Sequence, residues 1–169
     1  LGDMGQHYLE PVQYLLDKDN TSPVEIEAKA VQAHPDAVGN FRRIWMRYAD
    51  GCEIILDNES QNEKIPFLEG PQGKLYKGME STIPDLKNIL RQLPDPEPQL
   101  TDFNESIRMR RRFALNEKNA HRSATLVNLA KIAVQTGRKL YFDPLAQRFI
   151  NDEGANRLAE QPMRAPWQL

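Results

Sequence analysis

The sequence is poor in the residues and segments that mark disulfide-rich, membrane-spanning and nucleic-acid-binding proteins. Cys52 is the single cysteine among 169 residues, which excludes a disulfide within the chain and leaves the redox compartment open. No segment approaches the roughly 18 consecutive apolar residues of a membrane span, so we expect no membrane partner. The formal net charge of −2 gives no support to nucleic acid as a partner, and the arginines of 108–112 are interpreted as a solvated helix face.

Motifs that bind cofactors are also missing from the sequence. It has no GxGxxG, GxxxxGKS/T, CxxC or HExxH, the patterns that hold dinucleotides, nucleoside triphosphates and zinc. We therefore expect the chain alone to bind neither NAD nor NADP, to hold no metal, and to be inactive in isolation. Because it begins at Leu1 without a methionine, we expect it to be part of a longer product. Any targeting signal would then lie upstream, which leaves cytoplasmic and periplasmic locations open.

The first half of the chain has the alternating hydrophobicity of strands. In PVEIEAKA, apolar residues at the even positions from Val24 to Ala30 alternate with charged ones, which predicts a strand with one covered face. FRRIWMRYADGCEIIL has two β-rich runs around an Asp-Gly pair, which predicts a hairpin because glycine tolerates a positive φ. A second pair of runs, about 66–69 and 74–77, flanks the turn sequence GPQG. Consecutive hairpins predict an antiparallel sheet.

The second half of the chain is mainly helical in pattern. A helix is predicted from Pro84 to about Leu93, and the capping-box spacing of Asp102 and Glu105 predicts another that continues through RMRRR. The longest helix is predicted over about 116–136, with Gly137 as its stop. Its predicted packing face consists of Ala120, Ala124, Val127, Ala130 and Val134. Short strands near 139–142 and 148–150 and a last helix in DEGANRLAE complete the pattern.

Together these elements predict one domain over residues 1–169 and the α+β class. We expect an open, mainly antiparallel sheet with helices packed on one face. The opposite face is too apolar to be left in water if Trp45, Tyr48 and Ile55 lie on it, as the alternation indicates. We therefore expect the chain to form a homo-oligomer through the sheet, with a twofold pairing as the simplest arrangement.

The opening stretch GDMGQHYLEP combines an acid and a histidine four residues apart. Asp3 has the chemistry of a helix N-cap, and a helix beginning at or just before it would bring Asp3 and His7 to one face. An acid beside a histidine is suited to proton transfer near neutral pH. The alternative is a capped helix beside a solvent-facing histidine. The apolar residues that follow at helical spacing are Tyr8, Leu9, Val12, Leu15 and Leu16.

A second polar pair, His121 and Arg122, begins the longest predicted helix. One interpretation is that these side chains face a substrate cleft and bind substrate. The other is a polar helix start satisfied by local hydrogen bonds.

Five segments carry a resemblance to a known family. They are GDMGQHYLEPVQYLL, PVEIEA with AHPDA, PFLEGPQGKLY, NEKNAHRSATLVNLAKIAVQTGRKLYFDP and NDEGANRLAEQPMRAPWQL. Over essentially its whole length the chain resembles the C-terminal domain of the Gfo/Idh/MocA family, the glucose-fructose oxidoreductase-like and inositol dehydrogenase-like enzymes that use NAD(P). The subgroup common in Bacteroidetes and planctomycetes is the most similar.

The resemblance implies two domains with different roles. An N-terminal Rossmann domain, absent from this chain, holds NAD or NADP. A dihydrodipicolinate reductase-like C-terminal domain supports sugar or polyol binding and oligomer contacts. The family's Asp-x-x-x-His pattern falls on Asp3 and His7, so that His7 exchanges a proton with the substrate hydroxyl and Asp3 helps to position both. The usual lysine partner belongs to a Glu-Lys-Pro motif of the Rossmann domain.

Three classes of function follow. The first is the substrate-binding and oligomerisation domain of an NAD(P)-dependent sugar or polyol oxidoreductase. The second is the same domain of an NAD-dependent glycosidase, which oxidises and re-reduces its sugar during bond cleavage. The third is a stand-alone, cofactor-free binding or assembly module.

Overall fold

The computed structural model describes residues 1–2, 4–31, 40–60, 64–95, 98–160 and 163–167. Two compact units are present, one of Leu1–Glu59 with Leu115–Leu169 and one of Ser60–Ala114. The single domain over residues 1–169 stays a prediction. Asp3 and the AHPDA segment lie outside the described residues. In the part that is described, no helix combines the length and the apolar character needed to cross a bilayer.

One helix precedes five strands, and three helices, a two-stranded hairpin and a last helix follow them. In chain order they are α1 (Gly5–Leu15), β1 (Glu25–Ala30), β2 (Phe41–Arg47), β3 (Glu53–Asp57), β4 (Leu68–Gly70), β5 (Gly73–Leu75), α2 (Leu86–Gln92), α3 (Phe103–Met109), α4 (Glu117–Thr136), β6 (Leu140–Asp143), β7 (Arg148–Phe149) and α5 (Glu153–Ala159).

The first unit is built on a five-stranded sheet of order β3-β2-β1-β6-β7. Every pairing in it is antiparallel. Because successive side chains of a strand point to opposite faces, the apolar residues at even positions of β1, β2 and β3 collect on one face. They form the core together with apolar residues of α4, α1 and the β6–β7 hairpin. The predicted α+β fold, with an open antiparallel sheet, is confirmed.

Helix α4 packs on β1 and β2, and α1 packs against α4. Its start is capped by the Asn116 side chain, which accepts from the backbone N–H groups of Lys118 and Asn119 at 3.1 and 3.2 Å. Gly137 ends it in the left-handed region at φ 62°. The predicted packing face was partly wrong, since Ala120 and Ala124 are exposed. The buried face is centred further round the helix, on Leu126, Leu129, Ala130 and Ala133.

The predicted hairpin at Asp50-Gly51 is confirmed. Gly51 has a φ of 85°, and Tyr48 N–H donates to the Cys52 carbonyl at 2.8 Å. Tyr48, however, faces the core with 2% of its surface exposed, and not the opposite face as predicted. It lies three residues beyond Trp45, and an odd separation places two residues of an extended chain on opposite faces. Its burial raises the pKa of the Tyr48 hydroxyl.

The second unit contains β4, β5, a 3-10 turn over Lys77–Met79, α2 and α3. The predicted second hairpin is present but forms a two-stranded sheet of its own, so it does not extend the first. The predicted cap of α3 is confirmed, because the Asp102 carboxylate accepts from Glu105 N–H at 2.9 Å. The helix does not continue through RMRRR. It ends at Met109 because Arg110 adopts a left-handed φ of 53°.

Candidate functional site

Helix α1 has two different faces. One face is buried and packs on the core through Leu9, Gln13 and the partly buried Val12 and Leu16. At about 100° per residue, the other face carries His7 together with exposed Tyr8, at 64% exposure, and exposed Tyr14. Met4, Pro11 and Leu15 share this second face and are also exposed.

The apolar residues predicted to share one face of this helix therefore lie on two different faces. Leu9, Val12 and Leu16 belong to the core, whereas Tyr8 and Leu15 surround His7 on the outside. Plotting the residues at helical spacing would have separated the two groups. The outer face, which includes Met4 and Tyr14, is the part of the candidate site that the sequence interpretation missed.

The start of α1 differs from the expectation. The helix begins at Gly5, with Met4 as its N-cap residue, and Gly5 N–H donates to the Leu1 carbonyl at 3.0 Å. It was predicted to begin at or just before Asp3, two residues earlier. Since Asp3 lies outside the described residues, its proximity to His7 stays a prediction.

The first turn of α1 is fixed to the second turn of α4. Gln6 Nε2 donates to Ser123 Oγ, and Ser123 Oγ donates in turn to the Asn119 carbonyl at 3.0 Å. Gly5 lies against Val127, where a Cβ atom would meet the valine side chain at 3.8 Å. These contacts hold the backbone just before His7 without engaging its side chain. In the described part of the chain, the His7 imidazole has no hydrogen bond or ion pair.

Pro11 modifies the hydrogen bonding of α1 beside His7. It lies inside the helix and has no backbone N–H. The carbonyl of His7, four residues earlier, therefore lacks its regular helical donor. Both residues are exposed on the outer face of the helix.

Arg122 lies on the side of α4 that meets the loop between α1 and β1. Its Nη1 donates to Oγ of buried Ser22 at 3.3 Å. One turn earlier, Lys118 Nζ donates to Asn20 Oδ1 at 2.5 Å. Both bonds join the start of α4 to a loop that is distant in the sequence. Substrate binding by Arg122 stays a prediction.

His121 points in another direction. Its Nε2 lies 3.2 Å from Oε1 of Gln147, in the loop of the β6–β7 hairpin. Ser123, which contacts α1, lies about 200° round α4 from His121. The structure therefore does not bring His121 together with His7, and substrate binding by His121 also stays a prediction.

The main sheet of the described residues lacks the parallel strands of a Rossmann-type dinucleotide site. Such sites use a glycine-rich turn between a parallel strand and a helix, whereas the sheet here is antiparallel throughout. Metal ligands are not clustered either. No group of three or more His, Cys, Asp and Glu residues among those described could hold an ion.

The comparison with protein families matches residues 1–169 to the C-terminal alpha/beta domain of an oxidoreductase family, Gfo/Idh/MocA. Neither the curated proteins nor the solved structures include a significant match. The family match spans the complete sequence, and the observed antiparallel sheet with helices on one face agrees with it. The chain therefore belongs to the Gfo/Idh/MocA oxidoreductase family, as its C-terminal α/β domain.

Proposed function

We propose that this chain is the substrate-binding and oligomerisation domain of an NAD(P)-dependent sugar or polyol oxidoreductase. Family membership supports the oxidoreductase class. The observation that carries the proposal is the outer face of α1, where His7 is exposed among Tyr8, Tyr14 and other apolar side chains. Exposed apolar surface of this kind is typical of a binding site or of an interface between domains. The nicotinamide site is assigned to a domain outside residues 1–169.

The proposed role of His7 is proton transfer. Oxidation of a secondary alcohol requires the hydroxyl group to lose its proton, and an imidazole in hydrogen-bond reach of that hydroxyl accepts it. His7 suits this role because its side chain has no partner within the described residues. The neighbouring Gln6–Ser123 bond holds the helix that carries it. Asp3 is proposed to orient the imidazole.

Replacing His7 tests this role. In the protein that carries this chain together with its nicotinamide-binding domain, His7→Ala should lower kcat by about 10²- to 10⁴-fold with little change in KM. Asp3→Ala should cost less, and the double variant should be less than additive because both residues act on one proton transfer. Because His7 is exposed, free imidazole should restore part of the turnover in His7→Ala. Near-normal turnover with a normal melting curve would show that the residue has no catalytic role.

The products distinguish this function from that of an NAD-dependent glycosidase. An oxidoreductase produces one equivalent of reduced nicotinamide for each free sugar or polyol oxidised. A glycosidase of the family releases an aglycone with no net reduction of the nucleotide. Measuring both products on the same substrate panel decides between the two.

The proposed homo-oligomer uses the sheet face that points away from the helices. Ile55 and Tyr141 lie there, 49% and 51% exposed, and Trp45 is directly opposite Ile55 on the neighbouring strand. Ion pairs flank this apolar centre. Arg43 forms an ion pair with Asp57, and its Cζ atom lies 5.8 Å from the centroid of the Trp45 ring. Arg47 forms ion pairs with Glu25 on β1 and Glu53 on β3. An apolar centre with a charged rim is typical of a protein interface.

A charge placed at the centre of this face tests the oligomer. We expect the unmodified protein to be a dimer or higher oligomer by light scattering, and Ile55→Glu to shift it towards monomer. Leu145→Glu is the matched control, because Leu145 is 94% exposed in the loop between β6 and β7. A monomeric mass for the unmodified protein, or equal effects of the two substitutions, would contradict the proposal.

A further inference from the structure

A groove of about 540 Å³ runs along α4 in the first unit. Its walls are α4, the β6–β7 hairpin and the C-terminal turn of α5. This volume is within the range of about 300–1,000 Å³ that is usual for small-molecule sites. The groove is therefore large enough for a ligand of modest size.

The groove is separate from the surface that carries His7. At about 100° per residue, five of the seven α4 residues that line it fall within roughly 40° of the direction of His121, and Leu129 and Lys131 lie roughly 80° to either side of it. The α4 residues that contact α1, Ser123 and Val127, lie roughly 200° and 240° round the helix from that direction. Helix α1 and the centre of the groove thus lie on different faces of α4, with Lys131 at the edge nearer to Val127. The α4 residues of the groove stripe are His121, Thr125, Asn128, Ile132 and Gln135.

The floor of the groove is apolar and tightly held. Phe142 and Phe149 pack edge to face, with ring centroids 5.3 Å apart. Asn156 fixes the backbone of Phe149 from α5 through two hydrogen bonds. Leu129 and Ile132 of α4 complete the floor. These side chains are 2–4% exposed, so the floor offers a ligand only their outer edges.

Two cations without partners border this floor. Lys131 lies on the α4 wall and Arg157 on the α5 wall, and both are exposed. Neither side chain has an ion pair or hydrogen bond in the described parts of the chain. Several other basic residues of this unit have an acidic partner, as Lys139 has in Glu25 at 2.9 Å. Glu160 is the one acidic residue among those that line the groove.

From this arrangement we propose that the groove binds a small organic acid with a flat apolar body. The anionic group contacts Lys131 and Arg157, and the apolar body lies on the floor formed by Leu129 and the phenylalanine edges. The amides of Asn128 and Gln135 supply further hydrogen-bond donors along the wall. This site does not depend on the role of His7 and would exist in any protein that contains this domain.

Calorimetric titration with 2-naphthoate tests the proposal in the protein that carries this chain. We expect saturable binding at one site per chain, and at least about tenfold weaker binding of the neutral analogue 2-naphthamide. Inorganic phosphate, which has charge but no apolar body, should not displace the naphthoate. Lys131→Gln and Arg157→Gln should each weaken binding about two- to fivefold, because both cations are exposed to solvent. Glu160→Gln should strengthen it.

Two further variants locate the binding. Asn128→Trp fills the groove from an exposed helix position and should abolish binding while the melting curve is retained. Lys87→Gln removes the same charge from α2, which does not line the groove, and should leave the affinity unchanged. The proposal is overturned by any of three results: no saturation up to about 10 mM naphthoate, equal affinity for the neutral amide, or equal effects of Lys131→Gln and Lys87→Gln.

Discussion

Asn156 should be among the side chains on which the stability of the first unit depends most. Its Oδ1 accepts from Phe149 N–H at 2.8 Å and its Nδ2 donates to the Phe149 carbonyl at 3.1 Å. Both residues are buried, with 4% and 3% of their surface exposed. Asn156→Ala leaves one N–H and one carbonyl without a partner, each of which costs about 1–3 kcal/mol when buried. We therefore expect a loss of about 2–6 kcal/mol in the free energy of unfolding.

Urea denaturation followed by circular dichroism measures this loss. Asn58→Ala is the matched control, since Asn58 is exposed and makes one bond, to the Phe41 carbonyl at 3.3 Å. It should cost about 0.5 kcal/mol or less. A loss below about 1 kcal/mol for Asn156→Ala would refute the reasoning, because it would mean that water replaces both bonds at no cost.

The carboxylate variant adds a dependence on pH. Asn156→Asp keeps the acceptor for Phe149 N–H but directs a second oxygen at the Phe149 carbonyl. Burial and this carbonyl raise the folded-state pKa of the new carboxyl above its unfolded value. The variant should therefore be least stable, relative to the unmodified protein, above that raised pKa. The deficit should shrink as the pH falls through it, because the protonated acid donates to the carbonyl as the amide does.

Three other changes have defined outcomes. Leu126→Ala removes a fully buried side chain of α4 and should cost about 2–5 kcal/mol in urea denaturation. Pro11→Ala restores a hydrogen bond to the His7 carbonyl at an exposed position and should raise the melting temperature, in line with a gain of about 1–3 kcal/mol. The bond from Arg138 holds the pKa of Asp152 below its usual range, so Arg138→Gln should raise that pKa in an NMR titration. This bond stabilises the fold above the unfolded pKa of the carboxyl, and the stabilisation is lost as the pH falls through the folded pKa.

Short-range patterns explain why much of the fold could be predicted. The strand alternation of β1, the Asp-Gly hairpin and the Asn116 and Gly137 ends of α4 depend on residues a few positions apart. The features that were predicted wrongly have two different causes. Whether the second hairpin joins the main sheet depends on pairing with one of its edge strands, which the sequence of the hairpin does not specify. The end of α3 depends on Arg110 adopting a left-handed conformation while Ser106 Oγ donates to the Arg111 carbonyl at 2.5 Å.

The candidate site was less predictable than the fold for a related reason. The sequence places His121 and Arg122 side by side, but successive residues of a helix point about 100° apart. Arg122 bonds to Ser22 in the loop before β1, and His121 contacts Gln147 across the groove. Because they are adjacent in the helix, His121 and Arg122 point in different directions. His121 and Thr125 are four residues apart, so both side chains line the groove.

Helix α4 connects the two surfaces to which we assign ligands. One face holds α1 through the Gln6–Ser123 bond, and a different face forms a wall of the groove. Coupling between two sites requires an element whose position affects both. The core around α4 includes Leu126 and Ala130 with no exposed surface, so a shift of the helix in response to a groove ligand would disturb close packing on the α1 side. If binding in the groove changes kcat for His7-dependent chemistry, we expect a shift of α4 to transmit the effect, because α4 contacts both surfaces.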